Sequence, residues 1–301
     1  MKRLFALLLV LGLFVSSWAS TEIENPTKLF EIAQKGGHNI IIVFTATWCG
    51  WCHKLKTETL KDTKVEKLIS ENILINMDFD KNAAFRKRFG ITGVPATIFL
   101  NSHLKEIDRI IGYLPPKEFI KEYKRIKSGK DTFMELLKYS SKNCIDPKKH
   151  LALAEKYSER NMNKKAIEQY QLALNYGISG EKAYYGMGLV YKDMKNYNTA
   201  IKFIKKAIKM SKPNLKMHYN LMLCYYYNQN FSKCIKECNN IISLDKNNKE
   251  NMNPLAFYVK VLCFHKMGMV KDARRNFEYL SDFFPKNRYT QRAIELFVKG
   301  K

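Results

Sequence analysis

The sequence has no cysteine before Cys49 and no dense run of basic residues. The first absence excludes a lipid-modified cysteine near the N-terminus. The second absence matters because the net charge is +24, spread along the chain mostly as lysine. Such spread is typical of a solvated lysine-rich surface and disfavours nucleic acid as a partner. An acidic protein or an anionic membrane surface stays open as a partner for the basic charge.

An apolar run long enough to span a membrane is also missing from the N-terminal segment. Two basic residues precede twelve residues from Leu4 to Val15, and small and polar residues follow to Ser20. A spanning helix needs about 18 apolar residues or more, so this order is typical of a secretory signal peptide. We expect cleavage after Ala19 and export, most simply to a bacterial periplasm. The alternative is an uncleaved N-terminal membrane anchor.

The length that follows the signal peptide suits two domains. Residues 20–130 carry 19 Lys and Arg against 13 Asp and Glu, whereas residues 131–301 carry 31 against 15, a net charge of +16. The expected divisions are a signal peptide at 1–19, an α/β domain at 20–128, a linker or connecting helix at 129–146, and helical repeats at 147–301.

The first domain alternates strand-like and helix-like segments, which predicts an α/β domain with a central sheet. Its first strand, Asn39–Thr45, is apolar and β-branched throughout, as in a strand buried on both faces. The other expected strands are Ile73–Met77, Ala96–Leu100 and Glu106–Ile111. The expected helices are Pro26–Lys35, Lys54–Leu60, Val65–Ser70, Ala83–Phe89 and Pro116–Lys127.

Two sequence motifs in this domain lie at the ends of predicted strands. The string Trp48-Cys49-Gly50-Trp51-Cys52-His53 lies between the first strand and a helix, and Gly93-Val94-Pro95 precedes a later strand. Together they resemble the thioredoxin superfamily over residues 21–127. The resemblance implies a redox-active disulfide, Cys49–Cys52, with no other cofactor and no metal. It also implies that Pro95 is a cis-proline facing the dithiol, with Trp48, Gly50, Trp51 and Val94 contacting substrate.

The placement of Cys49 before a helix makes it the expected nucleophile. Unpaired N–H groups and the helix dipole favour its thiolate. Cys52, one turn along the helix, is expected to be more buried and to resolve the mixed disulfide. The acid that the family has six residues before the nucleophile is replaced here by Val43. Glu58 or His53 is a possible substitute.

The same string, Cys49 to His53, also matches the attachment signature of c-type haem. A haem site needs a second axial ligand and an apolar pocket. The buried strand before the string and Val94-Pro95 beyond it favour the thioredoxin-like interpretation.

The second half has a repeat with a period of 34 residues. Ala166, Ala200 and Cys234 are spaced by 34 residues, and Ala273 follows after 39. This pattern resembles the tetratricopeptide repeat, which implies an all-α solenoid whose groove binds a protein or peptide. A capping helix is expected after Pro285.

The cysteines outside the motif form no obvious disulfide framework. Cys234 and Cys238 share a helix face and are expected to pack in the core, with a metal site as the alternative. Cys144 lies in the expected linker, and Cys224 and Cys263 lie within the repeats.

These observations predict an exported thiol:disulfide oxidoreductase that reduces disulfides of exported proteins. It would take electrons from an upstream thiol partner, while the repeats recruit a protein partner. The alternative is a non-enzymatic adaptor, in which the repeats carry the function and the dithiol only senses redox state.

Overall fold

The chain forms two compact units. The computed structural model describes residues 26–141 and 145–298. The first unit comprises the chain up to residue 144 together with Glu159–Met162, and the second comprises Ile145–Ser158 and the chain from Asn163 onward. The expected signal peptide and Cys144 lie outside the described residues.

The first unit is built on a four-stranded sheet in the order β2-β1-β3-β4. Strand β1 is parallel to β2 and antiparallel to β3, and β3 is antiparallel to β4. The strands are β1 (Ile40–Thr45), β2 (Ile73–Asp78), β3 (Ala96–Leu100) and β4 (Glu106–Ile111). The helices are α1 (Pro26–Gly36), α2 (Gly50–Lys54), α3 (Thr63–Ile69), α4 (Ala83–Phe89), α5 (Pro116–Lys127) and α6 (Phe133–Ser140).

Strand β1 is buried along its whole length because helices cover both faces of the sheet. Successive side chains of a strand point to opposite faces, so the run of apolar residues supplies two cores. Ile42 and Phe44 pack in a cluster with Phe89 of α4, whereas Val43 packs in a cluster with Phe119 of α5. The expected α/β domain with a central sheet is confirmed.

The helix that follows β1 differs from the expected Lys54–Leu60. It begins at Gly50, because Cys49 caps it, and changes after Lys54 into a π-helical segment, Leu55–Thr59. Single π-turns of this kind often occur near functional sites. Leu55 and Thr59 are nevertheless buried, and the Thr59 hydroxyl donates to the Leu114 carbonyl at 2.6 Å.

The second unit is entirely helical in the part of the chain that is described. Its helices are α7 (Pro147–Ser158), α8 (Asn163–Asn175), α9 (Gly180–Asp193), α10 (Tyr197–Met210), α11 (Leu215–Tyr227), α12 (Phe231–Leu244), α13 (Asn253–Lys266), α14 (Val270–Phe283) and α15 (Arg288–Val298). They pack as the pairs α7–α8, α9–α10, α11–α12 and α13–α14. The expected all-α repeat domain is confirmed, and α15 follows Pro285 as expected.

The 34-residue period marks the positions where the second helix of each pair meets the first. Ala166, Ala200, Cys234 and Ala273 are all completely buried. In the best-matching repeat, a Cβ on Gly188 would lie only 2.6 Å from Cγ1 of Ile204 on α10, so only glycine fits there without a shift. None of the described helices is long and apolar enough to cross a membrane.

Candidate redox site

Cys49 and Cys52 lie at the junction between β1 and α2 and are joined by a disulfide. Cys49 is the N-cap residue of α2, and its Sγ accepts a hydrogen bond from the Cys52 backbone N–H at 3.1 Å. We expect the same N–H to face the Cys49 thiolate when the disulfide is reduced. Such a hydrogen bond and the positive end of the helix favour the thiolate over the thiol.

The two cysteine residues differ in their exposed fraction. Cys49 is 7% exposed, whereas Cys52 is 1% exposed. Both pack in a small cluster with Ala46, and Phe79 and Val94 lie against that cluster. Cys49 is thus the more exposed of the two residues, and the order in which they react stays a prediction.

Val94 lies against the disulfide, and Pro95 follows it. The peptide bond between them is cis, as the resemblance implied. The Val94 carbonyl oxygen lies 3.6 Å from Cys49 Sγ, and the Pro95 carbonyl accepts a hydrogen bond from Gly112 N–H at 2.9 Å. The loop that ends at Pro95 is thus held between the disulfide and the end of β4.

Trp48 flanks the disulfide and is 66% exposed. Its Nε1 donates to Asp80 Oδ2 at 2.8 Å, and its ring meets Phe79 edge-on with centroids 6.3 Å apart. These contacts orient an indole that is otherwise open to solvent.

Trp51 is 59% exposed and projects from the first turn of α2. Its ring stacks on Tyr113 at a centroid distance of 5.5 Å. Gly50 is exposed, and a Cβ added there would meet no atom within 4 Å. The structure therefore brings all seven sequence-predicted site residues together, and their roles in catalysis and substrate binding stay predictions.

The residues that sequence reasoning missed are Phe79, Asp80 and Tyr113. Asp80 and Phe79 immediately follow β2, which pairs in parallel with β1 and so ends beside the turn that bears Trp48. Tyr113 immediately follows β4 and Gly112. Only the pairing of strands distant in sequence brings these residues to the dithiol.

No carboxylate stands in the position of the family's buried acid. Val43 there is completely buried in apolar surroundings. Glu58 has a half-exposed side chain and accepts a hydrogen bond from the Tyr113 hydroxyl at 2.6 Å, which raises the pKa of Tyr113. His53 is exposed. The site thus differs from the family in the group expected to assist Cys52.

The four described cysteines of the second unit are chemically distinct from this pair. Cys224, Cys234, Cys238 and Cys263 are completely buried in one core cluster. Burial raises the pKa of Cys224 to about 11, and hydrogen bonding with Cys234 raises the pKa of Cys263. The prediction of core packing for Cys234 and Cys238 is confirmed. Among the described residues, no group of three His, Cys, Asp or Glu side chains could hold a metal ion.

Comparison with known families identifies the class of both units. Residues 27–127 match the model of a thioredoxin-like domain, and residues 181–212 match the model of a tetratricopeptide repeat. The first unit is a thioredoxin-like domain, and the second contains a tetratricopeptide repeat. Both resemblances expected from the sequence are confirmed.

Individual relatives agree with this class. The chain is 26% identical over 113 residues to the thiol:disulfide interchange protein DsbD of Pasteurella multocida (strain Pm70), covering 35% of this chain and 20% of that protein. It is 27% identical over 103 residues to the thioredoxin-like protein HCF164, chloroplastic, of Oryza sativa subsp. japonica, covering 34% and 39% respectively. The chain thus spans less than half the length of these relatives.

A solved structure of YrrB, described as a TPR protein with an unusual peptide-binding site, aligns with a TM-score of 0.46 and 14% identity. That alignment covers 58% of this chain and 85% of YrrB.

The family matches and the curated relatives together support thiol–disulfide oxidoreductase chemistry at a general level, in a thioredoxin-like domain that is accompanied by a tetratricopeptide-repeat domain.

Proposed function

We propose that this protein is an exported thiol:disulfide oxidoreductase that reduces disulfides of exported proteins through Cys49 and Cys52. One observation carries the proposal: Cys49, the more exposed of the two cysteines, caps a helix, while Cys52 lies one turn further along and is almost completely buried. Cys49 is thereby activated as a nucleophile, and Cys52 is kept for the second step.

The reduced dithiol acts in two exchanges. The Cys49 thiolate attacks one sulfur of the substrate disulfide, forms a mixed disulfide and releases the other substrate sulfur as a thiolate. Cys52, after losing its proton, attacks Cys49 Sγ, which releases the second substrate thiol and closes the Cys49–Cys52 bond. Two electrons pass to the substrate, and an upstream dithiol protein restores the reduced pair. Val94 and Pro95 border the sulfur that the substrate approaches.

The repeats recruit a protein partner. The first helices of successive pairs, α7, α9 and α11, contact one another and so form a continuous face. On this face Lys192 Nζ donates to Asn220 Oδ1 at 2.7 Å, and Asn220 Nδ2 donates to the Tyr185 hydroxyl at 2.8 Å. Asn220 is buried and holds Lys192 and Tyr185 in place. These two partly exposed side chains offer hydrogen bonds and ring surface to a bound segment.

Export to a bacterial periplasm agrees with the N-terminal sequence. The basic residues, the short apolar run and the small residues before Ser20 are the features on which this part of the proposal rests. A c-type haem is not part of the proposal, since the two cysteines that would bind it are joined to each other in a thioredoxin-like domain.

A trapping experiment tests the reaction. In a Cys52→Ala variant the mixed disulfide cannot be resolved, so we expect Cys49 to accumulate covalent adducts with substrate proteins on non-reducing gels. A Cys49→Ser, Cys52→Ala double variant is the matched control and should form none. Dithiothreitol should reduce the mixed disulfides and release the substrate proteins.

The reduction potential of the Cys49–Cys52 pair gives the direction of electron flow. A value near the roughly −270 mV of thioredoxin supports a reductase, whereas a value near about −120 mV would make the protein an oxidant. If no two-electron couple titrates and Cys52→Ala traps nothing, the protein is an adaptor and the redox proposal fails.

A further inference from the structure

An aromatic pair beside the disulfide has no part in the exchange chemistry itself. Trp51 and Tyr113, which we call the aromatic shelf, stack with an interplanar angle of 27° and centroids 5.5 Å apart. Most of the Trp51 ring nevertheless faces solvent, at 59% exposure. Exposing this much indole surface forgoes the burial that usually stabilises tryptophan in a fold. Such a ring is therefore available to contact a bound segment.

The shelf is held in place by a chain of polar contacts. The Tyr113 hydroxyl donates to Glu58 Oε2 at 2.6 Å, and Lys54 Nζ lies 4.0 Å from Glu58 Oε1. The same ammonium lies 5.4 Å from the centroid of the Trp51 ring. Both rings are thus oriented before any substrate arrives, which lowers the entropy that binding has to overcome.

The shelf borders the path to Cys49. Trp51 lies two residues beyond Cys49 on α2, and Tyr113 follows Gly112, whose N–H donates to the Pro95 carbonyl. Ile111, the last residue of β4, pairs with Ala96 and is 49% exposed. Apolar surface therefore extends from Trp51 past Tyr113 to the strand end beside Pro95.

We infer that the aromatic shelf determines substrate specificity, by selecting disulfides in which a cysteine is flanked by an aromatic or large aliphatic side chain. The inference rests on the proposed function and deepens it. Trp51 makes the contact with the substrate side chain, because aromatic pairs gain more than their buried area alone provides. Tyr113 is a positioning residue, because it acts by holding the Trp51 ring.

The test uses the mature full-length protein, with dithiothreitol to regenerate the reduced Cys49–Cys52 pair, and two disulfide-linked peptides of equal length and charge. They differ only in carrying Phe or Ser beside the cysteine. The rate with dithiothreitol alone is subtracted. We expect the wild type to prefer the Phe peptide by about fivefold in kcat/KM. Tyr113→Ala should bring the ratio close to one by raising KM for the Phe peptide, with kcat unchanged, because the lost interaction is one of binding.

Further variants distinguish the effect of the Tyr113 ring from that of its hydrogen bond to Glu58, and both from a general effect on the fold. Tyr113→Phe keeps the stacked ring and loses only the bond to Glu58, so it should retain most of the preference. Trp51→Ala should abolish the preference. Tyr227→Ala is the matched control, since Tyr227 is 57% exposed and lies on α11 of the repeat unit. Its preference should equal that of the wild type.

Hydroxyethyl disulfide carries no aromatic or large aliphatic side chain for the shelf to contact, so its reduction by the wild type reports on the exchange chemistry. If Tyr113→Ala and Trp51→Ala prefer the Phe peptide as strongly as the wild type does, the inference is overturned. The proposed function then still stands, provided that the wild type reduces hydroxyethyl disulfide. If the wild type reduces neither hydroxyethyl disulfide nor the peptides, the proposed function fails, and the inference with it.

Discussion

The burial of Tyr185 on the repeat unit makes the free energy of unfolding depend on pH. Its hydroxyl donates to the Lys216 carbonyl and accepts from Asn220 Nδ2. Burial opposes formation of the phenolate and raises the pKa of Tyr185 to about 12, from 10 in its ordinary state. The folded protein therefore binds this proton more tightly than the unfolded chain does.

The sign of the resulting pH dependence follows from linkage. Because the folded pKa is raised, the stabilisation is complete below pH 10 and is lost as the pH rises toward 12. We expect the free energy of unfolding of the repeat unit to fall over this range, and to fall less steeply in Tyr185→Phe. The measurement is urea unfolding followed by far-ultraviolet circular dichroism at several pH values.

The wild-type slope between pH 10 and 12 is the reference for this prediction. Equal slopes for wild type and Tyr185→Phe would contradict the assignment of the alkaline loss of stability to Tyr185.

At the scale of secondary-structure elements, two helices of the thioredoxin-like domain end at glycines with positive φ. Gly37 follows α1 with φ of 69°, and Gly90 caps α4 with φ of 62°. The two positions share the backbone strain that any side chain would introduce. They differ in the room available for a side chain. A Cβ on Gly37 would meet nothing within 4 Å, whereas one on Gly90 would collide with the Arg160 backbone carbonyl.

This difference makes the pair a matched experiment. Gly37→Ala should lower the free energy of unfolding by about 1 kcal/mol, the cost of the left-handed conformation alone. Gly90→Ala should lower it by about 2–3 kcal/mol, since the collision adds to that strain. Urea unfolding followed by the fluorescence of Trp48 and Trp51 reports on this domain. Equal losses in the two variants would show that the contact with Arg160 contributes nothing.

At the scale of the whole molecule, the first unit includes a segment from far along the chain. Arg160, in Glu159–Met162, has a side chain only 3% exposed and donates to Glu106 Oε1 at 2.6 Å. It also lies 3.4 Å from Oδ1 of the completely buried Asp108, and its guanidinium stacks 3.8 Å from the Phe133 ring centroid. Arg125 pairs with the other Asp108 oxygen.

Removing this guanidinium should destabilise the first unit strongly. Arg160→Ala leaves buried carboxylates with fewer partners, for which we expect a loss of about 3 kcal/mol in the free energy of unfolding. Arg275→Ala is the control, because Arg275 is 81% exposed and lies 3.9 Å from Asp272, so its loss should be below about 0.5 kcal/mol. Tryptophan fluorescence during urea unfolding measures both. If Arg160→Ala is as mild as Arg275→Ala, the buried pairs do not stabilise this unit.

Much of the fold was predictable because local pattern and tertiary environment agree. The apolar run of β1 requires burial on both faces, and the 34-residue period requires stacked helix pairs. The π-helical segment after Lys54 was not predictable, since the spacing of apolar residues in Lys54–Leu60 fits an α-helix equally well. The start of α2 at Gly50 depends on the cap that Cys49 provides.

The sequence by itself determined the dithiol, its place between strand and helix, the partner loop Val94-Pro95, and the order of the two architectures. Those features are local in the chain or repeat at a fixed period. Only the tertiary structure decided that Tyr113 and Glu58 orient Trp51, that Asp80 orients Trp48, and that Arg160 belongs with Asp108. These contacts join residues far apart in the chain, and strand pairing and packing, rather than local propensity, set which of them meet.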